Sequence, residues 1–333
     1  MNKISQYIFS TVLGRVVFFF WIILHPYDLS FQEQNQLFLF TWDYFLERIS
    51  VCGGLADYIA EFITQFNYVP YLGEALMALL FVIFQIVTAA SICRKEWYVL
   101  SFITPVMMLV YMNDIYVMLC YLIALIIAAS MCALYRRYPG LLWAVIATVL
   151  GYWLIGPAIF VFTLFTVLRE RNWNSLILVA VAVLTLVVSK WTYLQQYPWK
   201  TLAFGVNYYR HALVVPPMQL VIAAAAVLVP TFSDLLPKPK TYVNFALGLL
   251  IAAAGAFGCW LDYEKDVVEI IAYDQLVRQE DWDGLLERAE KYQPDSELGS
   301  VSVNLALFMS GRGNDLPRFK QFGTRGLILP NIR

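Results

Sequence analysis

The chain has 333 residues, of which 60% are hydrophobic and only 14% are charged, and its mean hydropathy is +0.64. Soluble domains average roughly 45–50% apolar and about 25% charged residues, so this composition excludes an ordinary soluble protein. The formal net charge of −1 offers no basic face, and we expect no nucleic-acid partner. Residues 1–261 carry 14 basic and 11 acidic side chains, whereas the much shorter stretch 262–333 carries 9 and 13. The sequence therefore predicts a transmembrane domain over 1–261 and a soluble tail over 262–333.

The first predicted element is a membrane-spanning helix over Ile8–Leu24, with Lys3 before it. It is followed by His25-Pro26-Tyr27-Asp28 rather than by a small-residue cleavage site, which favours an uncleaved span over a signal peptide. Arg15 lies inside this apolar run. A charge at such a position is either a functional group inside the membrane or a side chain that extends to the nearer membrane surface.

Residues 25–74 are predicted to form an outer loop with amphipathic helices at the membrane–water boundary. Apolar and polar side chains alternate at helical spacing over Phe31–Ile49 and Leu55–Phe66, and Gly53-Gly54 separates the two segments. The loop holds seven acids and one Lys or Arg side chain, Arg48. Four of the acids share helical spacing and are interpreted as a solvent-facing side: Asp43, Glu47, Asp57 and Glu61.

Asp28 and Glu33 directly follow the first span and are the candidate catalytic acids. A carboxylate at this place can activate an acceptor hydroxyl as a general base, or bind a metal ion. The alternative is that both are solvated loop acids, or that they cap the helix beginning near Phe31.

The remaining apolar segments complete the membrane domain. Single spans are predicted at Ala75–Ile92, Leu176–Ser189, Met218–Phe232 and Tyr242–Trp260. Trp97–Ala133 contains two spans joined at Asn113-Asp114, where Asp114 is a turn residue unless the hairpin ends at a cavity below the surface. Leu141–Leu168 is divided at Gly156-Pro157 and is one overlong helix, two spans or a re-entrant pair of half-helices.

Basic residues predict the orientation, because Lys and Arg near span ends mark the cytoplasmic side. They cluster at Lys3, Arg94-Lys95, Arg136-Arg137, Arg169/Arg171 and Lys238/Lys240. If every cluster faces the cytoplasm, the chain crosses the membrane an even number of times between successive clusters. The predicted fold is an all-α, polytopic transmembrane helical bundle of about nine spans, with the amino end inside and the tail outside. A re-entrant pair at Gly156-Pro157 keeps this parity and reduces the count by two.

The second sizeable outer loop, residues 195–217, combines basic and aromatic side chains. Lys200, Tyr208, Arg210 and His211 are candidates for binding the phosphate of a lipid head group opposite the acidic first loop. The alternative is an interfacial aromatic belt that binds no ligand. The two histidines of the chain, His25 and His211, have no metal-ligand spacing, and no metal site is predicted.

The tail is predicted to be helical throughout. Helices are expected over Val267–Arg278, over Trp282–Tyr292 with Asp281 as its cap, and over Leu298–Met309, which ends at Gly311. Short helix pairs of this kind resemble tetratricopeptide repeats, of which at least three are normally needed to bury a continuous core. Two incomplete units are too few, so we expect either a shortened chain or a tail that docks on the outer loops or on a protein partner.

Two family resemblances add to this interpretation. The segments LHPYDLSFQEQNQLFLFTWDYFLERISVCGGLADYIAEF and NLALFMSGR resemble an uncharacterised family of bacterial multi-pass inner-membrane proteins with helical-repeat tails. This resemblance implies an inner-membrane location, and longer members imply that the carboxyl end is shortened here. More broadly, a long outer loop with an acid just after the first span resembles the membrane glycosyltransferases of the C-type fold, which use polyprenyl-phosphate sugars. Asp28 stands at that place, although the first outer loop contains neither an Asp-Xaa-Asp motif nor an adjacent Asp-Glu pair.

Two functions are therefore expected. The first is a glycosyltransferase-like enzyme acting on lipid-linked sugars at the outer, periplasmic face, with a divalent metal as a cofactor if the resemblance extends that far. The second is a non-enzymatic scaffold whose membrane domain anchors a partner-binding tail. The chain has no phosphate-binding glycine loop and no nucleophile-elbow serine, and polar residues inside the spans are too scarce for a channel or transporter.

Overall fold

The computed structural model describes residues 3–205, 208–209 and 216–323, and the chain is 78% helical. Among these residues there is no β-strand, only an isolated bridge between Val117 and Tyr209, so the all-α prediction is confirmed. The chain divides into two compact units. The membrane unit comprises Met1–Phe20 and Gln32–Asp262, and the tail unit comprises Trp21–Phe31 and Tyr263–Arg333.

Sixteen α-helices are found in the described residues. In chain order they are α1 (Lys3–Ile23), α2 (Asp28–Gln34), α3 (Trp42–Ile49), α4 (Gly54–Thr64), α5 (Leu72–Ser91), α6 (Ile103–Tyr111), α7 (Leu119–Arg137), α8 (Leu141–Ile155), α9 (Ile159–Glu170), α10 (Leu176–Thr192), α11 (Trp199–Phe204), α12 (Pro217–Ser233), α13 (Thr241–Leu261), α14 (Lys265–Arg278), α15 (Trp282–Lys291) and α16 (Glu297–Met309). Short 3₁₀ helices cover Gln65–Tyr68, Lys95–Phe102, Gly156–Ala158, Trp173–Ser175 and Gly313–Arg318.

Six of the described segments are long and apolar enough to cross a membrane. They are Gln6–Ile23, Leu72–Ser91, Leu119–Arg137, Leu141–Glu170, Trp173–Thr192 and Tyr242–Leu261. The predicted span at Met218–Phe232 corresponds to α12, an apolar helix of 17 residues that is shorter than these six. The helices make this a membrane protein, while the count of nine spans and the orientation stay predictions.

The segment Leu141–Glu170 is a helical hairpin. The chain turns at Gly156, whose φ of 71° and ψ of −156° belong to a region open essentially to glycine alone. Beyond the turn α9 folds back along α8, and the hydroxyl oxygens of Thr148 and Thr163 lie 3.1 Å apart. In one continuous helix, residues fifteen positions apart would be about 22 Å apart. The reading of this stretch as a single overlong helix is therefore wrong.

Buried polar side chains join α1 to the centre of the membrane unit. Ser10 Oγ donates to Gln85 Oε1 at 2.7 Å, and Gln85 Nε2 donates to Ser101 Oγ at 2.7 Å. Gln85 and Ser101 are fully buried, and hydrogen bonds of this kind offset the cost of removing their polar groups from water. The network fixes how α1, α5 and the 3₁₀ helix after Arg94 pack together.

The tail unit has an apolar core of its own. Tyr273, Leu276, Leu285, Leu286, Ala289, Val303, Ala306, Leu307 and Phe319 form this core. The predicted helices agree with α14, α15 and α16 to within two residues, and the Asp281 side chain caps α15 by accepting from Gly284 N at 3.0 Å. The residue Gly311, after α16, has a φ of 70°, as expected of a glycine that ends a helix.

Candidate functional site

Asp28, the first predicted catalytic acid, is enclosed in the tail unit. It lies at the start of α2 and is 1% exposed. Its Oδ2 is 2.5 Å from His25 Nδ1, and its Oδ1 is buried with no hydrogen-bond partner in the described part of the chain. The imidazole packs against Trp21 and Tyr263, with ring centroids 5.6 and 5.7 Å away. Asp28 is thus an internal partner of His25 and not a solvated loop acid.

Glu33, the second predicted acid, belongs to the part of α2 in the membrane unit. It is partly exposed, and partial burial raises the pKa of its carboxyl above the usual value of 4.5. No ion pair joins Glu33 to another described side chain. The catalytic role of Glu33 stays a prediction.

The predicted phosphate-binding residues have different surroundings. Lys200 is exposed on the short helix α11, where it could reach a ligand. Tyr208 is 2% exposed; its hydroxyl donates to the carbonyl of Ile155 and accepts from Ala158 N at 3.2 Å. Tyr208 therefore holds the turn between α8 and α9. Arg210 and His211 lie outside the described residues.

The two predicted intramembrane polar residues also differ. The Asp114 carboxylate accepts from Tyr116 N at 2.9 Å, which is the local bonding of a turn residue. It also accepts from the Tyr209 hydroxyl at 2.6 Å, which ties the turn to a distant part of the chain. Arg15 lies on the exposed side of α1 within the candidate span Gln6–Ile23. Asp114 thus stabilises the turn between α6 and α7, and Arg15 faces away from the interior of the membrane unit.

A polar cluster that the sequence analysis missed lies between α3 and α4. Arg48 Nη2 is 2.7 Å from Glu61 Oε1, and Arg48 Nη1 is 3.8 Å from Asp57 Oδ2. The Tyr44 hydroxyl donates to Glu61 Oε2 at 2.5 Å and accepts from Arg48 Nη2 at 2.9 Å. We call these four residues, Tyr44, Arg48, Asp57 and Glu61, the loop cluster.

The loop cluster contains two carboxyls in different environments. Burial raises the pKa of Asp57 to about 6, and the negative charge of Glu61 adds to the rise while Arg48 opposes it. Burial also raises the pKa of Glu61, but Tyr44 and Arg48 both favour its ionised form through hydrogen bonds and charge. Glu61 is thus the ion-paired member, and Asp57 is the carboxyl whose pKa burial raises toward neutral pH. Asp57 also remains reachable, because its side chain is 15% exposed.

This geometry corrects the interpretation of the four helical acids as one solvent-facing side. Asp43 and Glu47 are exposed, but Glu61 is only 4% exposed and Asp57 is largely covered. The acids of α4 face α3 and are paired there with Arg48. The signal was in the sequence, since Arg48 is the single Lys or Arg among the seven acids of residues 25–74.

An aromatic surface surrounds the loop cluster. Phe38 is at its centre, with ring centroids of Tyr44, Tyr58 and Phe62 between 5.1 and 5.6 Å away. Large apolar side chains nearby are exposed, namely Leu37 (74%), Phe40 (84%), Trp42 (68%) and Tyr68 (78%). Exposed aromatic and aliphatic side chains on short amphipathic helices are typical of segments that lie in a membrane surface.

Two glycine turns meet beside the loop cluster. Gly53 N donates to Trp153 O at 2.8 Å, and Cys52 Sγ donates to Tyr152 O at 2.9 Å. A Cβ placed on Gly156 would be 3.6 Å from the Cα of Gly53, so the two backbones touch almost directly. The turn between α3 and α4 therefore packs directly against the turn between α8 and α9.

A narrow cleft opens at this junction. It is lined by small, apolar and uncharged residues: Val51, Cys52, Gly53, Tyr152, Gly156, Pro157, Leu194, Tyr197, Thr201, Leu202, Gly205 and Tyr208. The hydroxyl of Thr201 is buried there and has no hydrogen-bond partner within residues 3–205, 208–209 and 216–323. Asp57 N donates to Gly53 O at 3.1 Å, but Asp57 does not line the cleft, because its carboxyl is directed at Arg48. Among the described residues, no group of three or more His, Cys, Asp and Glu side chains is arranged to hold a metal ion.

The helices and their loop cluster define an all-helical membrane protein with a polar site on its first long loop. A family model matches residues 1–331, and the chain belongs to that family, described as a family of unknown function (DUF6057). This confirms the resemblance to an uncharacterised family. No curated protein and no solved structure matches the chain.

Proposed function

We propose that the protein is a membrane enzyme that transfers sugars from polyprenyl-phosphate carriers, with Asp57 as its general base. The observation that carries the proposal is the placement of Asp57, a largely covered carboxyl beside the Arg48–Glu61 ion pair, on a loop whose exposed aromatic side chains suit the membrane surface. Burial raises the pKa of this carboxyl to about 6. General bases work best when their pKa lies near the operating pH. Carboxyl pairs whose environments separate their pKa values are a common acid–base arrangement.

The proposed reaction is a displacement at the anomeric carbon of the donor sugar. Asp57 accepts the proton of an acceptor hydroxyl, whose oxygen then bonds to the anomeric carbon. The bond from that carbon to the phosphate oxygen breaks, and the polyprenyl phosphate leaves with the electron pair. Arg48 and Glu61 keep Asp57 in position. Lys200, Arg210 and His211 are proposed to hold the phosphate, on the strength of their charge in the sequence alone.

The location is part of the proposal. A polyprenyl chain is apolar and stays in the bilayer, so its phosphate is at the membrane surface. The first loop, with Phe40 and Trp42 exposed, is suited to the same depth. We propose the outer face of a bacterial inner membrane, which follows from the predicted orientation.

The test uses the full chain in lipid nanodiscs with a polyprenyl phosphate that carries a radiolabelled sugar. Loss of label from the lipid is measured for the wild type and for Asp57→Asn. Because a general base contributes roughly 10²–10⁴-fold to a rate, the variant is expected to lose at least about 100-fold. Asp43→Asn, which changes an exposed acid of the same loop, is the matched control and should keep the wild-type rate.

Two results contradict the proposal. A wild-type protein that releases no label from any of the donors offered rules out the reaction. Normal release by Asp57→Asn rules out the base. If Asp28→Asn or Glu33→Gln then abolishes release, the catalytic acid is one of the two that follow the first span.

A second candidate function is a membrane-anchored scaffold, and the surface of α16 favours it. One side of this helix fills the tail core, but Leu298, Val301, Leu305 and Phe308 form a stripe at helical spacing on another side. Leu305 and Phe308 are 39% and 78% exposed. Apolar stripes on helical-repeat modules commonly bind the next repeat or a partner helix.

The scaffold function predicts a partner that depends on this stripe. Phe308→Ser should lower the amount of any protein that co-purifies with the full chain after mild extraction from membranes. Leu316→Ser, which changes an apolar residue that is 39% exposed outside the stripe, should not. Equal recovery with both variants would contradict a partner-binding role of α16.

A further inference from the structure

A second cavity lies at the opposite ends of the membrane helices from the first loop. It is formed where α9 and α12 end, and its volume is about 190 Å³. A cavity needs only about 10–15 Å³ to hold a water molecule, so this one can hold a chemical group of many atoms. We call it the rim cavity. It is lined by Phe165, Leu168, Arg169, Arg171, Thr231, Asp234 and Leu235.

The charges of the rim cavity suit a phosphate. Arg169 and Arg171 both line it, and no ion pair binds Arg171 to another described side chain. Arg169 Nη1 is 3.8 Å from Asp234 Oδ2, a distance too long for a strong hydrogen bond. The neighbouring acid Glu170 is not a lining residue and accepts from the Tyr135 hydroxyl at 3.0 Å. Arg169 Nη1 also donates to Cys93 Sγ at 3.3 Å. Guanidinium groups bind phosphate oxygens in pairs of hydrogen bonds, and two such groups line this cavity.

The same cavity also offers a carboxylate acceptor. Asp234 follows the last turn of α12, and its Oδ2 is 3.8 Å from Arg169 Nη1. Its Oδ1 is buried and has no hydrogen-bond partner among the described residues. Leaving a carboxylate oxygen buried and unpaired is unfavourable. A ligand that brings a hydrogen-bond donor to Asp234 Oδ2 while its phosphate meets the arginines would pair the charged groups that line the cavity.

The position of the cavity indicates where such a ligand comes from. Glu170 ends a candidate membrane segment, so Arg169 and Arg171 are at the level where hydrocarbon gives way to head groups. Leu168 and Leu235 are exposed beside the cavity, at 40% and 54%, and give acyl chains an apolar surface. Basic pockets between membrane helices are known sites for phospholipid head groups.

We infer that the rim cavity binds one phospholipid, with the phosphate on Arg169 and Arg171 and a head-group donor, ammonium or hydroxyl, on Asp234. Because Asp234 requires a hydrogen-bond donor, the cavity should distinguish between phospholipids that have the same phosphate but different head groups. Ethanolamine and glycerol head groups have N–H or O–H donors, whereas the quaternary ammonium of choline has none.

The test is native mass spectrometry of the full chain, purified in detergent and mixed with phosphatidylethanolamine, phosphatidylglycerol or phosphatidylcholine of matched acyl chains. The wild type should retain the first two lipids about tenfold better than the third. Arg171→Gln should lower retention of the first two lipids about tenfold, because one charge-assisted contact to phosphate is lost. Asp234→Ala should abolish the preference over choline while leaving some binding.

Lys238→Gln is the matched control, since Lys238 is 82% exposed on the same rim, does not line the cavity and carries the same charge. Equal retention of all three lipids by the wild type would overturn the inference. So would equal losses in Arg171→Gln and Lys238→Gln, which would mean general attraction by the basic rim. Displacement of the lipid by millimolar inorganic phosphate would instead identify a soluble phosphate as the ligand.

Discussion

At the residue scale, Asp43 and Asp57 are the same residue type in the same loop, but they differ in exposure to solvent. Asp43 is exposed in the first turn of α3, whereas Asp57 turns toward Arg48 and is mostly covered. Helical spacing alone placed both on one polar side. Periodicity identifies the polar side of each helix, but it does not show that the polar sides of α3 and α4 face each other. That pairing depends on the turn at Gly53-Gly54 and on the aromatic packing around Phe38.

The raised pKa of Asp57 predicts a pH-dependent stability. Because the folded state favours the neutral carboxyl, the stabilising contribution of this group is complete below its usual pKa of 3.8 and is lost as the pH rises through about 6. The difference corresponds to at most about 3 kcal/mol. Asp57→Asn removes this dependence. The melting temperature of the variant, relative to that of the wild type, should therefore be higher at pH 7.5 than at pH 5. Thermal unfolding in detergent at several pH values measures the change.

Asp43→Asn serves as the control for the same experiment, because its carboxyl is exposed. Its melting curve should run parallel to that of the wild type at every pH. A parallel curve for Asp57→Asn as well would mean that the Asp57 carboxyl is ionised in the folded protein at all these pH values. The acid–base role proposed for it would then lose its basis.

Tyr208 shows why the phosphate-binding residues could not be settled from the sequence. A tyrosine in an aromatic loop is compatible with a ligand site, with an interfacial belt or with the interior. The deciding fact is the glycine turn at Gly156, which leaves the carbonyl of Ile155 and the amide of Ala158 in need of partners. The hydroxyl of Tyr208, about fifty residues away in the sequence, is the partner of both groups. The residues around Tyr208 in the sequence do not indicate this contact.

At the scale of secondary-structure elements, helix ends were predicted correctly where a capping residue or a glycine next to the helix marks them in the sequence. The tail helices were recognised because Asp281 and Gly311 mark their ends in the sequence. The first loop was less accurate, since the predicted helix over Phe31–Ile49 is interrupted between α2 and α3. Thr41 begins α3 by accepting from Tyr44 N at 3.3 Å. A threonine followed by an acid two residues later is an N-cap signal that could have been recognised.

The turn between α8 and α9 carries a prediction of its own. Gly156→Ala should destabilise the membrane unit, because the positive φ is strained for alanine and its Cβ would lie 2.7 Å from the Tyr208 hydroxyl. A strained backbone position costs roughly 1–3 kcal/mol, and the lost Tyr208 contacts add to it. The variant should therefore melt several degrees below the wild type in detergent.

Gly248→Ala is the matched control for this variant. Gly248 lies within α13, and a Cβ there would be 3.8 Å from the nearest side-chain atom, an ordinary contact. Its melting temperature should equal or slightly exceed that of the wild type. Equal melting temperatures of the two variants would mean that the α8–α9 turn does not require the backbone conformation of Gly156.

At the scale of the whole molecule, composition predicts the membrane helices, but it does not predict all the segments that belong to the tail unit. Charge density changes near residue 262, and Tyr263 begins the main part of the tail unit. That unit also includes Trp21–Phe31, which composition assigns to the end of the first span and its loop. Within the tail unit, His25 packs on Tyr263 across more than two hundred residues. Contacts of this separation cannot be deduced from local hydropathy.

The orientation of the whole chain rests on the parity of crossings and can be tested at three exposed positions. Tyr68 precedes α5, Trp173 follows α9, and Phe308 belongs to the tail unit; their exposed fractions are 78%, 85% and 78%. The predicted topology puts Tyr68 and Phe308 outside and Trp173 inside. Cys52 is unsuitable as a reporter, because it is buried and burial raises the pKa of its thiol to about 12.

Single cysteines introduced as Tyr68→Cys, Trp173→Cys and Phe308→Cys should therefore react differently with a membrane-impermeant maleimide on sealed right-side-out vesicles. Labelling above that of the parent chain is expected at once for positions 68 and 308, and only after permeabilisation for position 173. The result does not depend on whether the hairpins α6–α7 and α8–α9 cross the membrane completely, since either arrangement preserves parity. Immediate labelling at position 173 with protection at the other two would mean that the basic rim faces outward. The loop cluster would then face the cytoplasm, where its substrate would have to be sought.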